Sequence, residues 1–177
     1  AKDLFNGRDL TGWTGDPLLW RVEGGEIIGK TDGLKKNEFL KSEMAAENFT
    51  LVFKVKLTPN KENSGMQFRS EVLPNGDVKG PQADIGEGWW GKLYEEHGRG
   101  ILAKEGGEKF VKLNEWNEYV IEAFEGNVRI SINGNICTDY LKDPLLARRG
   151  IFALQLHSGG ALEVRYKDFK LEITKGK

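Results

Sequence analysis

Residues 49–57, FTLVFKVKL, alternate between two kinds of side chain along the chain. Every second position is apolar, and these positions share one face of an extended strand: Phe49, Leu51, Phe53, Val55 and Leu57. The opposite face carries Thr50, Lys54 and Lys56. Because successive side chains of a strand point to opposite sides, this pattern predicts a β-strand with one buried face.

The same alternation recurs towards the carboxyl end of the chain. Residues 128–132 alternate in this way and lead into Asn133-Gly134, which predicts a type I′ hairpin turn. Apolar residues occupy even positions in 162–166 and odd positions in 169–173, so a β-bulge is expected near Lys167 and Asp168. Further strands are predicted at residues 20–22, 26–29, 65–72, 82–85, 92–95, 118–124 and 150–157.

Length and composition restrict the fold and the class of partner. A chain of 177 residues is the size of one domain, and 23 glycines favour many turns between short strands. We therefore expect an all-β protein in which residues 1–177 form one two-sheet antiparallel β-sandwich. A net charge of -1 makes nucleic acid a poor ligand, and the sequence has no apolar run long enough for a membrane span. The composition leaves the oligomeric state open.

Three of the predicted strands carry polar side chains opposite an apolar face. These side chains are amides, acids, a guanidinium and an imidazole: Gln67, Arg69, Glu71, Gln82, Asp84, Gln155 and His157. If the three strands share a sheet, their side chains form a polar floor on its outer surface. Such groups bond sugar hydroxyls, and the aromatic rings of Trp89, Trp90 and Tyr94 could pack on a pyranose at the rim.

Two structural interpretations stay open beside this one. Strand faces of a sandwich commonly meet water, and a lone histidine on a strand is commonly a hydrogen-bonded structural residue. The free imidazole titrates near pH ~6.5, however, which suits His157 to proton transfer at neutral pH. One cysteine cannot form an internal disulfide, and two histidines cannot build a His-rich metal site.

Short motifs along the whole chain resemble one known family. The opening LFNGRDLTGW at residues 4–13 is similar to the opening of the 3-keto-disaccharide hydrolase domains, formerly a domain of unknown function. Further similar segments follow in the family's order: WRVEGGEII at 20–28, the strand at 49–56, NSGMQFR at 63–69, QADI at 82–85, GKLY at 91–94, EWN at 115–117, GIFALQLH at 150–157 and the strand at 164–173. The chain departs from the family's pattern around Asp84 and at Glu95-Glu96-His97.

The resemblance implies a fold, a substrate class and a location. The fold would be a concanavalin-like jelly roll, as in lectins and glucanases, and the substrates would be glycosides oxidised to a ketone at C3. It also implies export to the periplasm or out of a bacterial cell. A C3 ketone acidifies the proton on C2, so a base can remove it, the C1 substituent can leave, and water can add to the enone.

The residues allow several assignments for this chemistry. We expect His157 or Asp84 to be the base, Arg69 with Gln155 to stabilise the enolate, and Glu95 or Tyr94 to protonate the leaving group. The sugar hydroxyls and ring would be held by the remaining polar and aromatic positions: Gln67, Glu71, Gln82 and Trp90. No cofactor is required, although a divalent cation on Asp84, Glu71 and Glu87 could replace Arg69.

Two other functions fit the same residues. A non-catalytic carbohydrate-binding module would use the same polar floor, because a fold does not dictate whether its site binds or reacts. An ordinary retaining glucanase could use Asp84, Glu87 and Glu95. In some sandwich-fold endoglucanases two glutamates flank an aspartate on one strand. Here Gln82 occupies the first of these positions, and an amide cannot act as a carboxylate nucleophile.

Overall fold

The computed structural model describes residues 3–175, which form two antiparallel sheets. The strands in chain order are β1 (Trp13–Thr14), β2 (Trp20–Glu23), β3 (Glu26–Leu34), β4 (Glu38–Ala46), β5 (Phe49–Thr58), β6 (Asn63–Val72), β7 (Val78–Gly86), β8 (Leu93–Glu96), β9 (Gly100–Ala103), β10 (Asn117–Phe124), β11 (Asn127–Ile132), β12 (Asn135–Tyr140), β13 (Gly150–Leu156) and β14 (Gly159–Ile173). A single 3-10 turn (Glu108–Phe110) lies between β9 and β10 within this part of the chain.

Each sheet contains seven strands. The first sheet has the order β1-β4-β13-β6-β7-β8-β9, and the second has the order β12-β11-β10-β5-β14-β3-β2. This is the jelly-roll sandwich that the alternation and the family resemblance led us to expect. Within residues 3–175, no helix has the length and hydrophobicity needed to cross a bilayer.

The core lies between the two sheets and is built from the alternating apolar faces. The five alternating apolar residues of β5, Phe49, Leu51, Phe53, Val55 and Leu57, are between 0% and 2% exposed, as the pattern at residues 49–57 predicts. Phe49 packs edge-on against Phe68 and Phe152 of the facing sheet, with ring centres 5.8 Å and 5.0 Å apart. Burying each such ring stabilises the fold by about 2 kcal/mol, so the core holds the two sheets face to face.

The local irregularities that the sequence predicts are present. Asn133 and Gly134 both have positive φ, 50° and 82°, as a type I′ turn between β11 and β12 requires. The register of β14 against β5 shifts between Lys167 and Lys170, and Asp168 has φ 55°. The predicted hairpin and the predicted bulge are therefore confirmed.

Candidate functional site

The outer face of the first sheet carries the polar side chains in two neighbouring rows. Gln155, Gly65 and Asp84 lie opposite one another on β13, β6 and β7. In the next row, Gln82 lies between Gln67 of β6 and Tyr94 of β8. Residues that are paired in this way point to the same side of a sheet. The second sheet covers the other side, so these rows face away from the core.

A cleft of about 380 Å³ lies over these rows. Its lining comes from β7 and β8, from the first residue of β6 and the loop before it, from the loop after β7, and from the turn before β14: Lys61, Glu62, Asn63, Gln82, Asp84, Glu87, Trp89, Tyr94, Glu96, His157 and Ser158. The cleft therefore combines carboxyl groups, an amide, an imidazole and two aromatic rings in one concave surface, which is the usual character of a small-ligand site.

Three polar side chains form a chain of hydrogen bonds in the floor of the cleft. Gln82 Nε2 donates to Asp84 Oδ1 at 2.6 Å and to Gln155 Oε1 at 3.1 Å. Gly65 makes this arrangement possible, because a Cβ there would lie 2.6 Å from the amide carbon of Gln82. The glycine of the NSGMQFR motif thus lets Gln82 lie across β6 and reach Gln155.

Two atoms of this chain of amides lack a partner. Gln82 Oε1 and Gln155 Nε2 are both buried and have no hydrogen-bond partner among residues 3–175. Gln82 is 2% exposed and Gln155 is 0% exposed. A buried polar atom without a partner destabilises the fold, and natural proteins keep few of them. Gln82 lines the cleft, so a ligand there could supply a partner for its Oε1.

Asp84 is a buried carboxyl group whose protonation is unusual. The pKa of Asp84 is raised to about 8, mainly by burial and to a smaller extent by the negative charge of Glu96, while the hydrogen bond from Gln82 and the charge of Lys92 oppose the rise. At neutral pH the carboxyl group therefore holds its proton. Because Oδ1 accepts the hydrogen bond from Gln82, the proton belongs on Oδ2.

The backbone around Asp84 fixes the position of this group. The hydroxyl of Tyr119 donates to the Asp84 carbonyl at 2.8 Å, and the Asp84 N–H donates to the carbonyl of Lys92 at 3.0 Å. Tyr119 comes from β10 of the other sheet, so the core anchors the acid from below. The site is thus built on regular strands, which hold a side chain more rigidly than loops do.

His157 lies at the end of β13 and is half-buried at the edge of the cleft. Its Nδ1 lies 2.8 Å from the carbonyl oxygen of Ser158. A carbonyl oxygen only accepts hydrogen bonds, so Nδ1 carries the proton in the neutral imidazole. Nε2 then has a lone pair, which can accept a proton from a ligand. The N–H of Ser158 is held by Asn37 Oδ1 at 2.8 Å, which fixes the turn that orients the imidazole.

Aromatic and acidic side chains of β8 and of the loop after β7 form another part of the cleft. Trp89 and Tyr94 meet edge to face, with ring centres 5.9 Å apart, and the Lys92 ammonium lies 5.4 Å from the centre of the Trp89 ring. Burial, with a further contribution from the charges of Glu96 and Asp84, raises the pKa of Tyr94, which therefore stays a hydroxyl donor. Burial also raises the pKa of Glu96.

Comparison with known proteins decides the family. The 3-keto-alpha-glucoside-1,2-lyase-like domain matches residues 1–172. The chain belongs to this family. Membership confirms the resemblance seen in the sequence motifs and gives the protein a carbohydrate-related function. No curated protein matches the sequence of this family member.

Solved structures with similar folds include proteins connected with carbohydrates. A candidate glycosyl hydrolase from Parabacteroides distasonis is 19% identical with a TM-score of 0.74, over 97% of this chain and 93% of that protein. A carbohydrate-binding module from Bacillus subtilis is 18% identical with a TM-score of 0.70, over 91% of this chain and 95% of the module. At these identities the similarity establishes the fold that this family member shares with them.

In this lyase-like domain the structure brings together four of the residues proposed for the site. Gln82, Asp84, Tyr94 and His157 all line the cleft. Gln155 and Gln67 lie on the expected face but beneath the surface, since each is 0% exposed. Gln155 reaches the cleft only through Gln82, while Gln67 Nε2 donates to Ser70 Oγ at 3.2 Å. Neither amide is placed to contact a sugar directly.

Arg69 does not lie in the cleft, which corrects its expected placement. A shift of register between Gln67 and Glu71, with φ 46° at Arg69, turns its side chain out of the polar face. The guanidinium is instead buried and bonds four acceptors: the carbonyls of Glu47, Glu125 and Ala147, and Oδ1 of Asn48. Its contacts are those of a structural cation that fastens three loops together.

The structure also places Glu71, Glu95 and Trp90 away from the cleft. Glu71 and Glu95 border a separate depression beside Arg69. Arg99 holds the Glu95 carboxylate at 2.8 Å and keeps the pKa of that carboxyl group low, so it has no proton to give a leaving group at neutral pH. Trp90 is 2% exposed and packs in the core, while its neighbour Trp89 lines the cleft.

The positions of the carboxyl groups argue against the glucanase that the sequence left open as an alternative. A glucanase that used Asp84, Glu87 and Glu95 would need all three carboxyl groups in one cleft, and Glu95 lies outside it.

Among residues 3–175, no group of three or more His, Cys, Asp or Glu side chains is placed to hold a metal ion. The expected trio of Asp84, Glu71 and Glu87 is separated because Glu71 lies beyond the bulge of β6.

Sequence reasoning missed several residues of the cleft. These lie on loops or at strand ends: Lys61, Glu62, Asn63, Glu96 and Ser158. Asn63 belongs to the family motif at 63–69, and Ser158 follows His157 in the chain, so both had a signal in the sequence. Lys61 and Glu62 had none, because only the folding of their loop brings them to the cleft.

The contacts of Arg69 predict a large effect on stability. Replacing Arg69 with methionine would remove a donor from three partly buried carbonyls and from Asn48 Oδ1, and would leave the buried space of the guanidinium without these hydrogen bonds. We expect the free energy of unfolding to fall by about 3 kcal/mol or more, measured by urea denaturation. Arg149→Met is the matched control, since the Arg149 side chain is 63% exposed and its loss should change stability by less than about 0.5 kcal/mol. Equal stability of both variants would show that Arg69 is dispensable for folding.

Proposed function

We propose that this protein cleaves 3-keto-glycosides by removing the C2 proton, eliminating the C1 substituent and adding water to the product. The observation that carries the proposal is the pairing of two groups in one cleft: Asp84, with a pKa of about 8, and His157, whose Nε2 has a lone pair. A protonated carboxyl group and an imidazole nitrogen with a free lone pair are the acid and base that an elimination needs. Membership of the lyase-like family supports the same assignment.

His157 and Asp84 together account for the two proton transfers of the elimination. His157 Nε2 takes the proton from C2, and the electron pair of the C2–H bond becomes an enolate that extends to the oxygen on C3. The enolate then re-forms the ketone as the C1–O bond breaks, which leaves a double bond between C1 and C2. Asp84 gives its Oδ2 proton to the departing oxygen. Water afterwards adds its oxygen to C1 and a proton to C2, which yields the free 3-keto-sugar.

The remaining cleft residues support this sequence without carrying a proton themselves. The hydroxyl of Tyr94 is a donor available to the developing enolate oxygen, because its raised pKa keeps it protonated. Gln82 contributes the dipole that holds Asp84 Oδ1 and thereby directs the carboxyl proton to Oδ2. Gln155 is a positioning residue, since it touches the cleft only by holding Gln82.

A second candidate function is carbohydrate binding without cleavage. The fold similarity to a carbohydrate-binding module, at a TM-score of 0.70, favours it. The same cleft could hold a sugar whether or not a reaction follows.

Incubation with an alkyl 3-keto-glucoside in D2O separates the two candidates. We expect proton NMR to show both deuterium at C2 and release of the alcohol, because deprotonation precedes departure of the leaving group. The unoxidised glucoside is the control, and it should remain intact, since its C2 proton is not acidic. Binding of the 3-keto-glucoside with neither exchange nor release would support the binding module and contradict the proposed reaction.

A further inference from the structure

The cleft concentrates negative charge that the protein as a whole does not have. The chain holds 26 basic and 27 acidic residues, a net charge of -1. The cleft, in contrast, is lined by three glutamates, Glu62, Glu87 and Glu96, by Asp84, whose carboxyl group keeps its proton, and by a single lysine, Lys61, among the residues that the structure describes. The acidic excess is therefore local to this concave surface.

The carboxyl groups come from different sides of the cleft. Glu62 lies against Gly160, where an added Cβ would approach its Oε1 to 2.8 Å, so its carboxylate occupies the wall next to the turn that holds His157. The Glu87 N–H donates to the carbonyl of Asn60 at 2.8 Å, which keeps Glu87 beside the same loop. Glu96 projects from β8 and interacts electrostatically with His157. A ligand in the cleft would thus meet acidic groups on more than one side.

The cations nearby compensate this charge poorly. Lys61, like Glu87, is exposed at the rim, where water and salt screen its charge. The Lys92 ammonium lies over the ring of Trp89 and does not itself line the cleft. Arg99 and Arg69 bond to other partners outside the cleft. An anion that entered would lose its hydration without gaining an ion pair from these residues.

We propose that the cleft accepts uncharged sugars and rejects sugars that carry a carboxylate, sulfate or phosphate. This inference rests on the proposed function for the nature of the substrate, but its physical cause is the charge of the lining. Like charges brought together in a partly desolvated site repel strongly, whereas sugar hydroxyls can donate hydrogen bonds to carboxylates. The acidic lining therefore acts as a filter that leaves neutral glycosides as the substrates.

The test compares two substrates that differ only at C6, where one carries a hydroxymethyl group and the other a carboxylate. A 3-keto-glucoside and the corresponding 3-keto-glucuronide, with the same aglycone, are assayed for kcat/KM at low and high salt. We expect the neutral substrate to be favoured by about 100-fold at low salt, with the ratio falling as added salt screens the exposed carboxylates. Glu62→Gln and Glu87→Gln should each lower the ratio. Glu118→Gln, an exposed residue of the second sheet, should leave it unchanged.

A binding measurement keeps this inference separate from the proposed reaction. Ligand-observed NMR with the unoxidised glucoside and glucuronide reports affinity without any turnover. Tighter binding of the glucoside, with neither 3-keto-sugar cleaved, would support the charge filter and contradict the proposed function. Equal binding of the two sugars, equal kcat/KM for the two substrates, or binding of neither sugar would overturn the charge filter.

Discussion

Replacing His157 with glutamine is expected to lower kcat for a 3-keto-glucoside by about 100-fold or more, with a smaller change in KM. The hydrogen bond of Nδ1 to the Ser158 carbonyl leaves Nε2 as the proton acceptor in the cleft. A glutamine can still bond a hydroxyl there, but its amide does not take up a proton at neutral pH. Deuterium exchange at C2 should fall together with product release, because both depend on the same proton transfer.

The second histidine of the chain provides the matched control. His97 is exposed on a turn, and its Nε2 lies 3.2 Å from Asp77, outside the residues that line the cleft. His97→Gln should therefore keep both the exchange rate and kcat. Exchange at C2 at the normal rate in His157→Gln would remove the imidazole from the proton transfer and leave Asp84 as the base.

The fold could be predicted from the sequence because its determinants are local. Alternation at residues 49–57 fixes which side of a strand is buried, whatever the strand pairs with. The turn at Asn133-Gly134 and the bulge at Asp168 depend on residues that tolerate positive φ, and these too can be recognised in a short segment. These features can be recognised in a short segment without knowing which distant residues that segment contacts.

The candidate site could be predicted only where the strands are regular. Gln82 and Asp84 on β7 keep the alternation, and both face the cleft as expected. Arg69 occupies a position of the same alternating pattern in the sequence. In the structure the bulge of β6 turns its side chain away from the cleft, and the guanidinium donates to the carbonyls of Glu47, Glu125 and Ala147, which are distant in the chain. A bulge is a property of the pairing between two strands, so the sequence of β6 alone does not reveal it.

The sequence also does not reveal which polar side chains of this face are buried and which reach the cleft. Gln155 lies on the predicted side of the sheet. The side chain of Gln82 covers it, because Gly65 has no side chain to occupy the space between them. Trp89 and Trp90 are neighbours of the same type, and only the turn after β7 decides that Trp90 enters the core while Trp89 meets the cleft. These outcomes depend on three-dimensional packing between side chains that are far apart in the chain or on the geometry of a loop.

Replacing Asp84 with asparagine is expected to reduce release of the alcohol by about 100-fold or more while deuterium exchange at C2 continues within about 10-fold of the normal rate. Asparagine has the shape of the protonated aspartic acid. Its Oδ1 can accept the hydrogen bond from Gln82 that Asp84 accepts at 2.6 Å, and its amide points to the cleft like the Oδ2 hydroxyl. It has no proton to give the leaving oxygen, whereas His157 still removes the C2 proton. Loss of exchange and release to the same extent would contradict the assignment of Asp84 as the acid.

The same variant should be more stable than the natural protein, and the difference should depend on pH. The folded protein holds the Asp84 proton up to about pH 8, whereas an ordinary aspartic acid, as in the unfolded chain, loses it near pH 3.8. Rising pH between these values therefore favours the unfolded state of the natural protein, because only that state releases the proton. Asparagine removes this penalty, so the gain in Tm should grow from about pH 4 to about pH 8, then level off, and reach at least about 3 °C. If Asp84 is the acid of the proposed reaction, the natural protein should lose kcat over the upper end of this range, as the acid ionises. Such a loss of stability is what we expect of a carboxyl group that serves the proposed reaction. A Tm gain independent of pH would show instead that Asp84 is ionised in the folded protein.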